Sequence, residues 1–274
     1  MGTNRDSILK RDRVRTALLL AAGTGSRLCS LTDTSHKCLT EVNGVPILKQ
    51  QIACLEHWGF EDLLVVVGHQ GDQIRDFLGS CVSDLKVSYI HNPEYRTTNN
   101  LYSLWLARKA IKRSFLLLEC DLFFEAGLLS GMLHPDRIAL ATRQPWMDGT
   151  TVTLDGSGRV VAFQLGGGDT RDPLAYKTVN IHSLSLSTWR RMSRCLDAYV
   201  SSGRVNDYYE AVFSDMTVDG AFDARAVSFD DGNWYEIDTL EDLRAAEKLF
   251  TKPRRREVSR IDIASETHSV TRLG

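Results

Sequence analysis

The stretch RTALLLAAGTGSRLCSL, residues 15–31, does most to restrict what this chain can fold into. Ala17 to Leu20 are apolar without a break. A strand with one wet face alternates polar and apolar residues. An unbroken apolar strand is covered on both faces, as in a parallel sheet with helices on either side. The strand runs into Gly23-Thr24-Gly25-Ser26. Glycine permits positive φ and lets a backbone approach a ligand with no Cβ in the way. Successive N–H groups in such a turn form a concave anion site, and Arg27 adds a planar fork suited to phosphate. Leu20, Ala21, Ala22, Gly23, Thr24, Gly25 and Ser26 are therefore candidate nucleotide-binding residues, with an ordinary strand-to-turn junction as the plain alternative. Two other phosphate grips do not fit. A Walker loop needs GxxxxGK[ST], which is missing. A dinucleotide fingerprint needs a third small residue where Arg27 and Leu28 stand, and the acid nearest the right offset, Glu41, lies in the turn-like TEVNGVP.

The next segments alternate strand and helix patterns. Pro46 opens a helix with Leu48, Ile52 and Leu55 on one face. DLLVVVG and KVSYI read as strands, with a short helix at Asp72–Leu78 between them. A helix from about Asn100 turns Leu101, Leu104 and Trp105 inward, and SFLLLECDLFF reads as a fourth strand. Such alternation means βαβ units and a parallel sheet whose carboxyl-end loops share one crevice. After about Gln144 the rhythm changes. TTVTLDGSGRVVAFQL is a hairpin around residues 155–158. GGGDTRDP is a flexible loop, AYKTVNIHSL a strand, and Ser187 caps a helix bearing Trp189, Met192, Leu196 and Tyr199. In NDYYEAVFSDM, Asp207 and Glu210 fit a capping box; DARAVSF and WYEIDTL are late β segments, and Thr239 with Asp242 boxes the last helix. The expected fold class is α/β, a mostly parallel doubly wound sheet with a β-hairpin and a helical insertion.

Asp121 ends the fourth strand, so its carboxylate faces the crevice. Magnesium takes one or two carboxylates, keeps waters and fills its remaining positions with substrate phosphates. Asp238 is the natural second ligand, and either acid alone could instead serve a cap or turn. Glu119 reads either as a supporting acid or as an inward charge paired with Lys or Arg. NPEYRTTNNLYSLWLA places amides and hydroxyls at a helix start, where Thr98, Asn99, Asn100 and Ser103 can read a base edge or merely cap the helix.

The pattern LAAGxGxRL followed by Lys37 resembles the signature of the sugar-nucleotidyltransferase-like superfamily. The resemblance implies a loop wrapped round a triphosphate, with Arg27 and Lys37 as catalytic cations and Asp121 and Asp238 holding Mg²⁺. The family usually has Pro-Lys where this chain has His36-Lys37. Later blocks (the NPEY stretch, ECDLFF, YKTVNI, YYE and WYEIDTLEDL) are similar to bacterial CTP:phosphocholine cytidylyltransferases and their 2-aminoethylphosphonate-using relatives. The resemblance covers roughly residues 15–250. It implies CTP as donor and a small phosphate or phosphonate acceptor bearing an amine. Candidate acceptor residues are Glu119, Trp146, Lys177, Asn180, Tyr208, Tyr209, Glu210 and Trp234, because acids and aromatic faces suit a cationic head group. Glu210 could equally be a cap, one of the two tyrosines packs inward, and Lys177 holds the acceptor phosphate or is simply solvated. Competing readings are a sugar-1-phosphate nucleotidyltransferase using UTP or dTTP, and a non-catalytic nucleotide-sensing subunit.

With 274 residues, 43% of them hydrophobic, the chain can build a sizeable core. A net charge of −2 argues against a nucleic-acid or membrane-surface protein. Six scattered cysteines lack zinc spacing and fit reduced core thiols in a cytoplasmic protein. No apolar run approaches membrane-spanning length, and the charged first residues are not a signal peptide. The expected organisation is a flexible arm (1–14) and a single domain (15–250), followed by a polar basic tail or linker (251–274). The domain divides into a nucleotide half, about 15–143, and an acceptor half, about 144–250. A homodimer, or fusion to a further domain, is left open.

Overall fold

A computed structural model describes residues 13–31, 35–82, 84–144, 147–166 and 175–251. Residues 1–12 of the expected arm, the tail beyond residue 251, most of the GGGDTRDP loop and Trp146 lie outside the described residues. Val14, expected in the arm, belongs to the core instead, its N–H donating to the Leu133 carbonyl at 2.9 Å. The chain begins with β1 (Thr16–Ala21), a small hairpin of β2 (Glu41–Val42) and β3 (Val45–Pro46), and α1 (Ile47–His57). Then come β4 (Asp62–Val67), α2 (Gly71–Cys81), β5 (Lys86–His91) and α3 (Asn100–Leu106). β6 (Phe115–Glu119), β7 (Leu122–Phe124) and β8 (Arg137–Thr142) follow. β9 (Thr151–Leu154) and β10 (Val160–Gln164) form the expected hairpin, and β11 (Tyr176–Leu184) leads into α4 (Leu186–Ser201). The described chain closes with α5 (Glu210–Val218), β12 (Arg225–Ser228), β13 (Trp234–Glu236) and α6 (Leu240–Leu249).

Among the described residues one nine-stranded sheet runs β10-β9-β11-β6-β1-β4-β5, with β8 pairing β11 and β12 off that path. β6, β1, β4 and β5 are mutually parallel, while β11 enters antiparallel to β6. Every residue of β1 is buried, and its two faces serve two cores. Ala17, Leu19 and Ala21 pack with Leu48, Ile52 and Ile74 from α1 and α2. Leu18 and Leu20 pack with Leu101, Met192 and Val212 from α3, α4 and α5. Each buried leucine contributes about 1.5–3 kcal/mol, which is why residues 17–21 are apolar on both faces.

Three local expectations change. SFLLLECDLFF is two strands: pairing with β1 stops at Glu119, Cys120 and Asp121 break out, and β7 then pairs with β13. The cap of α4 is Ser185, whose Oγ accepts from the Thr188 N–H; Ser187 already lies in the first turn. Asp207 and Glu210 form no capping box. α5 starts at Glu210 itself with no side-chain cap, and Asp207 pairs with Arg204 instead. The box at α6 is present, Thr239 accepting from the Asp242 N–H and Asp242 from the Thr239 N–H.

Candidate active site

The carboxyl ends of β1 and β6, with Asn92 just past β5, open on a cavity of about 420 Å³. Leu20, Ala22 and the loop Gly23 to Arg27 form one wall, with Gly25 at φ +63°. Ala21 is fully buried in the strand and does not border the cavity. The opposite wall is the start of α3. Asn99 caps it, its Oδ1 accepting from the Asn100 N–H at 2.8 Å, and Thr98, Asn99, Asn100 and Ser103 all border the space. Buried Asn92 ties this wall together, donating to Ser103 Oγ at 3.0 Å and accepting from the Glu94 N–H. The loop is pressed from beneath by Gly68, where a Cβ would sit 2.7 Å from the Ala22 carbonyl oxygen and from Tyr95 Cβ.

His36 stands where relatives of the resembled family have proline. Its φ of −64° is the value that proline imposes. Its N–H donates to Gln73 Oε1 at 3.1 Å, which proline could not do, and its Nδ1 accepts from the Cys38 N–H. The side chain thus caps the short turn that presents Lys37. Burial, then nearby His69, lowers its pKa to about 4, so the cap stays neutral and can accept.

Lys37 lies at the centre. Its Nζ donates to Asp121 Oδ2 at 2.8 Å and to Asp238 Oδ1 at 2.5 Å. Burial works against the ammonium, but Asp121 and then Asp238 hold its pKa above the ordinary lysine value. Arg27 reaches Asp238 Oδ2 at 3.0 Å. The two aspartates come from distant parts of the chain. Asp121 sits at the β6–β7 break. Asp238 follows β13, which pairs with β7, and the Ile237 N–H donates to the Asp121 carbonyl. Asp121 Oδ1 is buried with no hydrogen-bond partner. Among the described residues no group of three or more His, Cys, Asp or Glu could hold a metal.

A second cavity of about 740 Å³ adjoins the first, sharing Arg27, Asn100, Glu119, Asp121, Tyr208 and Asp238 with it. Lys177, Asn180, Glu210 and Trp234 border it as expected. Asn180 adopts φ +58° within β11, where the register against β8 shifts, and this turns its amide to Glu236 Oε1 at 3.3 Å. Lys177 is neither solvated nor free: its Nζ donates to the Thr178 carbonyl at 2.8 Å and Glu236 Oε2 at 3.2 Å. Glu119 is paired with no Lys or Arg among the described residues; its Oε1 accepts from Asn100 Nδ2 at 3.1 Å. Desolvation, then Asp121, raises its pKa well above the carboxylate norm. Desolvation raises Glu210 to about 7 and raises Glu236 as well. Tyr208 borders both cavities, whereas Tyr209 is fully buried against His182 and Phe213 and borders neither. The tyrosine that packs inward is Tyr209, because α5 turns it to the core. The sequence reading passed over Glu236 and Asn92. Glu236 alternates with Trp234 in WYE and could have been found from that period; nothing local marks Asn92 as buried.

Residues 17–147 match the MobA-like NTP transferase domain. Over 250 residues the chain is 33% identical to CMP-5'-(3-aminopropyl)phosphonate synthase of Streptomyces rubellomurinus, covering 88% of this chain and 40% of that protein. It is 29% identical to 2-aminoethylphosphonate cytidylyltransferase of Lancefieldella rimae, covering 72% of this chain and 78% of that one. The chain thus spans less than half the length of the first of these relatives. Among solved structures it superimposes on the CTP:phosphocholine cytidylyltransferase from Streptococcus pneumoniae with a TM-score of 0.74, at 22% identity, over 87% of this chain and 100% of that one. The resemblance read from LAAGTGSRL therefore holds: residues 17–147 carry a MobA-like NTP transferase domain, on the mostly parallel sheet of the nucleotidyltransferase fold.

Proposed function

We propose that this chain is a magnesium-dependent cytidylyltransferase that transfers CMP from CTP to a small amine-bearing phosphate or phosphonate, releasing pyrophosphate. The observation that carries this reading is the pair of adjoining cavities with Lys37, Asp121 and Asp238 at their seam. Both volumes suit small polar ligands. The first has the backbone loop and Arg27 for a triphosphate; the second collects Glu119, Glu210 and Glu236, which suit a cation. The phosphonate- and phosphocholine-using relatives support the same reading.

An acceptor oxyanion attacks the α-phosphorus of CTP, a P–O bond forms, and the bond to pyrophosphate breaks with its electrons leaving on that oxygen. The acceptor is already an anion, so no strong base is required. The difficulty is to hold two anions together, and positioning can contribute about 7–11 kcal/mol. Lys37 and Arg27 offset negative charge at the seam, and the loop N–H groups cradle the departing phosphates. Asp121 and Asp238 fit a hard divalent cation: both are carboxylates at the seam, and Asp121 retains an unpartnered buried oxygen. Bound there, Mg²⁺ would supply charge neutralisation across the phosphates. Free thiols at Cys38, Cys54 and Cys120 support a cytoplasmic setting. Among the described residues no helix is long and apolar enough to cross a membrane.

The test is ³¹P NMR of the enzyme with CTP, Mg²⁺ and 2-aminoethylphosphonate. The expected outcome is a new coupled phosphonate–phosphate pair appearing together with pyrophosphate. Unchanged CTP with this acceptor and with phosphocholine would reject the assignment.

A further inference from the structure

The second cavity contains an imbalance of charge that selects among amines. Four of its border carboxylates already have a basic partner: Asp121 and Asp238 share Lys37, Glu236 takes Lys177, and Asp207 takes Arg204. Glu119 has no basic partner among the described residues and takes the Asn100 amide. Glu210 is 5% exposed, and its Oε2 is buried with no partner at all. The cation that acts on Glu210, Lys177, is committed to Glu236 and to the Thr178 carbonyl. Of the other border acids, Asp148 is exposed and Asp242 is taken up by the cap of α6. This leaves Glu119 and Glu210 as the buried acids with no basic partner among the described residues. Asn100 lies between them, donating to Glu119 and accepting from the Tyr209 N–H at the start of the helix that bears Glu210.

A desolvated carboxylate oxygen needs a donor, and leaving one without a partner is costly. A primary ammonium brings three N–H donors on one charge. A quaternary ammonium brings the same charge with none, and its methyl groups hold that charge away from the oxygens. Aromatic faces are the usual alternative for a quaternary cation, strongest where water is excluded. Here the aromatic side chains bordering the cavity, among the described residues, are Tyr208 and Trp234, and Tyr208 is 59% exposed.

We propose that this cavity takes a primary ammonium in preference to a quaternary one, with Glu210 Oε2 as the receiving oxygen and Glu119 completing the acceptor set. The proposal rests on the amine-acceptor reading above and decides between its two candidate head groups.

The test is pyrophosphate release with CTP across the N-methyl series of 2-aminoethyl phosphate, from the unmethylated ester to phosphocholine. The expected result is a stepwise fall in kcat/KM of on the order of 10³-fold across the series. This is short of the 10⁴–10⁵ found where a site's hydrogen-bonding groups go wholly unpaired, because charge attraction survives methylation. Glu210→Gln, checked by its melting curve, should flatten the series by lowering the unmethylated member most. The wild-type series stands without that variant. A flat or rising wild-type series overturns the proposal and leaves the cytidylyltransferase reading intact. Silence with every member, alongside turnover of UTP with glucose 1-phosphate, overturns both.

Discussion

Lys37 is held in place by the two carboxylates it neutralises, so removing it has two effects. Lys37→Ala leaves Asp121 and Asp238 facing one another, and breaking a buried pair in this way costs about 3–5 kcal/mol. It also removes a donor to developing charge, which typically lowers kcat by about 10²–10³. The expected outcome is a lowered melting temperature together with that loss of turnover, and added Mg²⁺ should recover part of the melting temperature. Normal kcat/KM would remove Lys37 from the mechanism. Asp121→Asn and Asp238→Asn keep the shape and lose the charge. Each should move the magnesium titration to higher concentration, and an unmoved titration would make that residue structural. Glu210 makes a pH prediction. Burial favours its neutral form, so the folded chain binds the proton more tightly than the unfolded one does. Its contribution to stability is full below the ordinary value near 4.5 and is lost as pH rises through about 7. Glu210→Gln should therefore melt above the wild type at pH 8, with the gap closing by pH 5. Equal melting at both would show that Glu210 is well solvated. Arg27 and Asp121 stand out in the sequence because the glycine loop and a strand end mark them, Lys37 and Asp238 only through the family resemblance, and the structure brings the four together. Tyr208 and Tyr209 could not be told apart, since which one faces in depends on where α5 begins.

At the scale of elements, the site is placed by two joints. One is the β6–β7 break, where the chain leaves the ladder and aims Asp121 at the seam. The other is the capping box of α6, in which Asp242 also accepts from the Asp238 N–H at 3.1 Å. Asp242→Ala removes the receptor for both N–H groups, so stability should fall by about 0.5–2 kcal/mol, the usual cost of a lost cap. Turnover should fall as well, since Asp238 is no longer held toward Lys37. Calorimetry and steady-state rates at saturating magnesium check this, and a stability loss with unchanged turnover would separate the cap from the site. β1, β4, β5, α3 and the 155–158 hairpin were legible because unbroken apolar runs, glycine turns and helical spacing are local signals. The division of SFLLLECDLFF was not, because it depends on β13, more than a hundred residues away in sequence.

At the scale of the whole molecule, the parallel strands could be foreseen from βαβ alternation. β11 running antiparallel between β6 and β8 could not, because only tertiary pairing decides it. That insertion brings Lys177 and Asn180 against Glu236 and makes the second cavity continuous with the first. The central claim is that this joined space passes CMP to an amine-bearing phosphate or phosphonate. Its most direct test is the pyrophosphate-release kcat/KM of the full chain with magnesium, crossing CTP and UTP with 2-aminoethylphosphonate, phosphocholine and glucose 1-phosphate. The account predicts the highest value for CTP with 2-aminoethylphosphonate and background rates for glucose 1-phosphate with either nucleotide. Efficient turnover of UTP with glucose 1-phosphate, or no pyrophosphate from any pair, would contradict it.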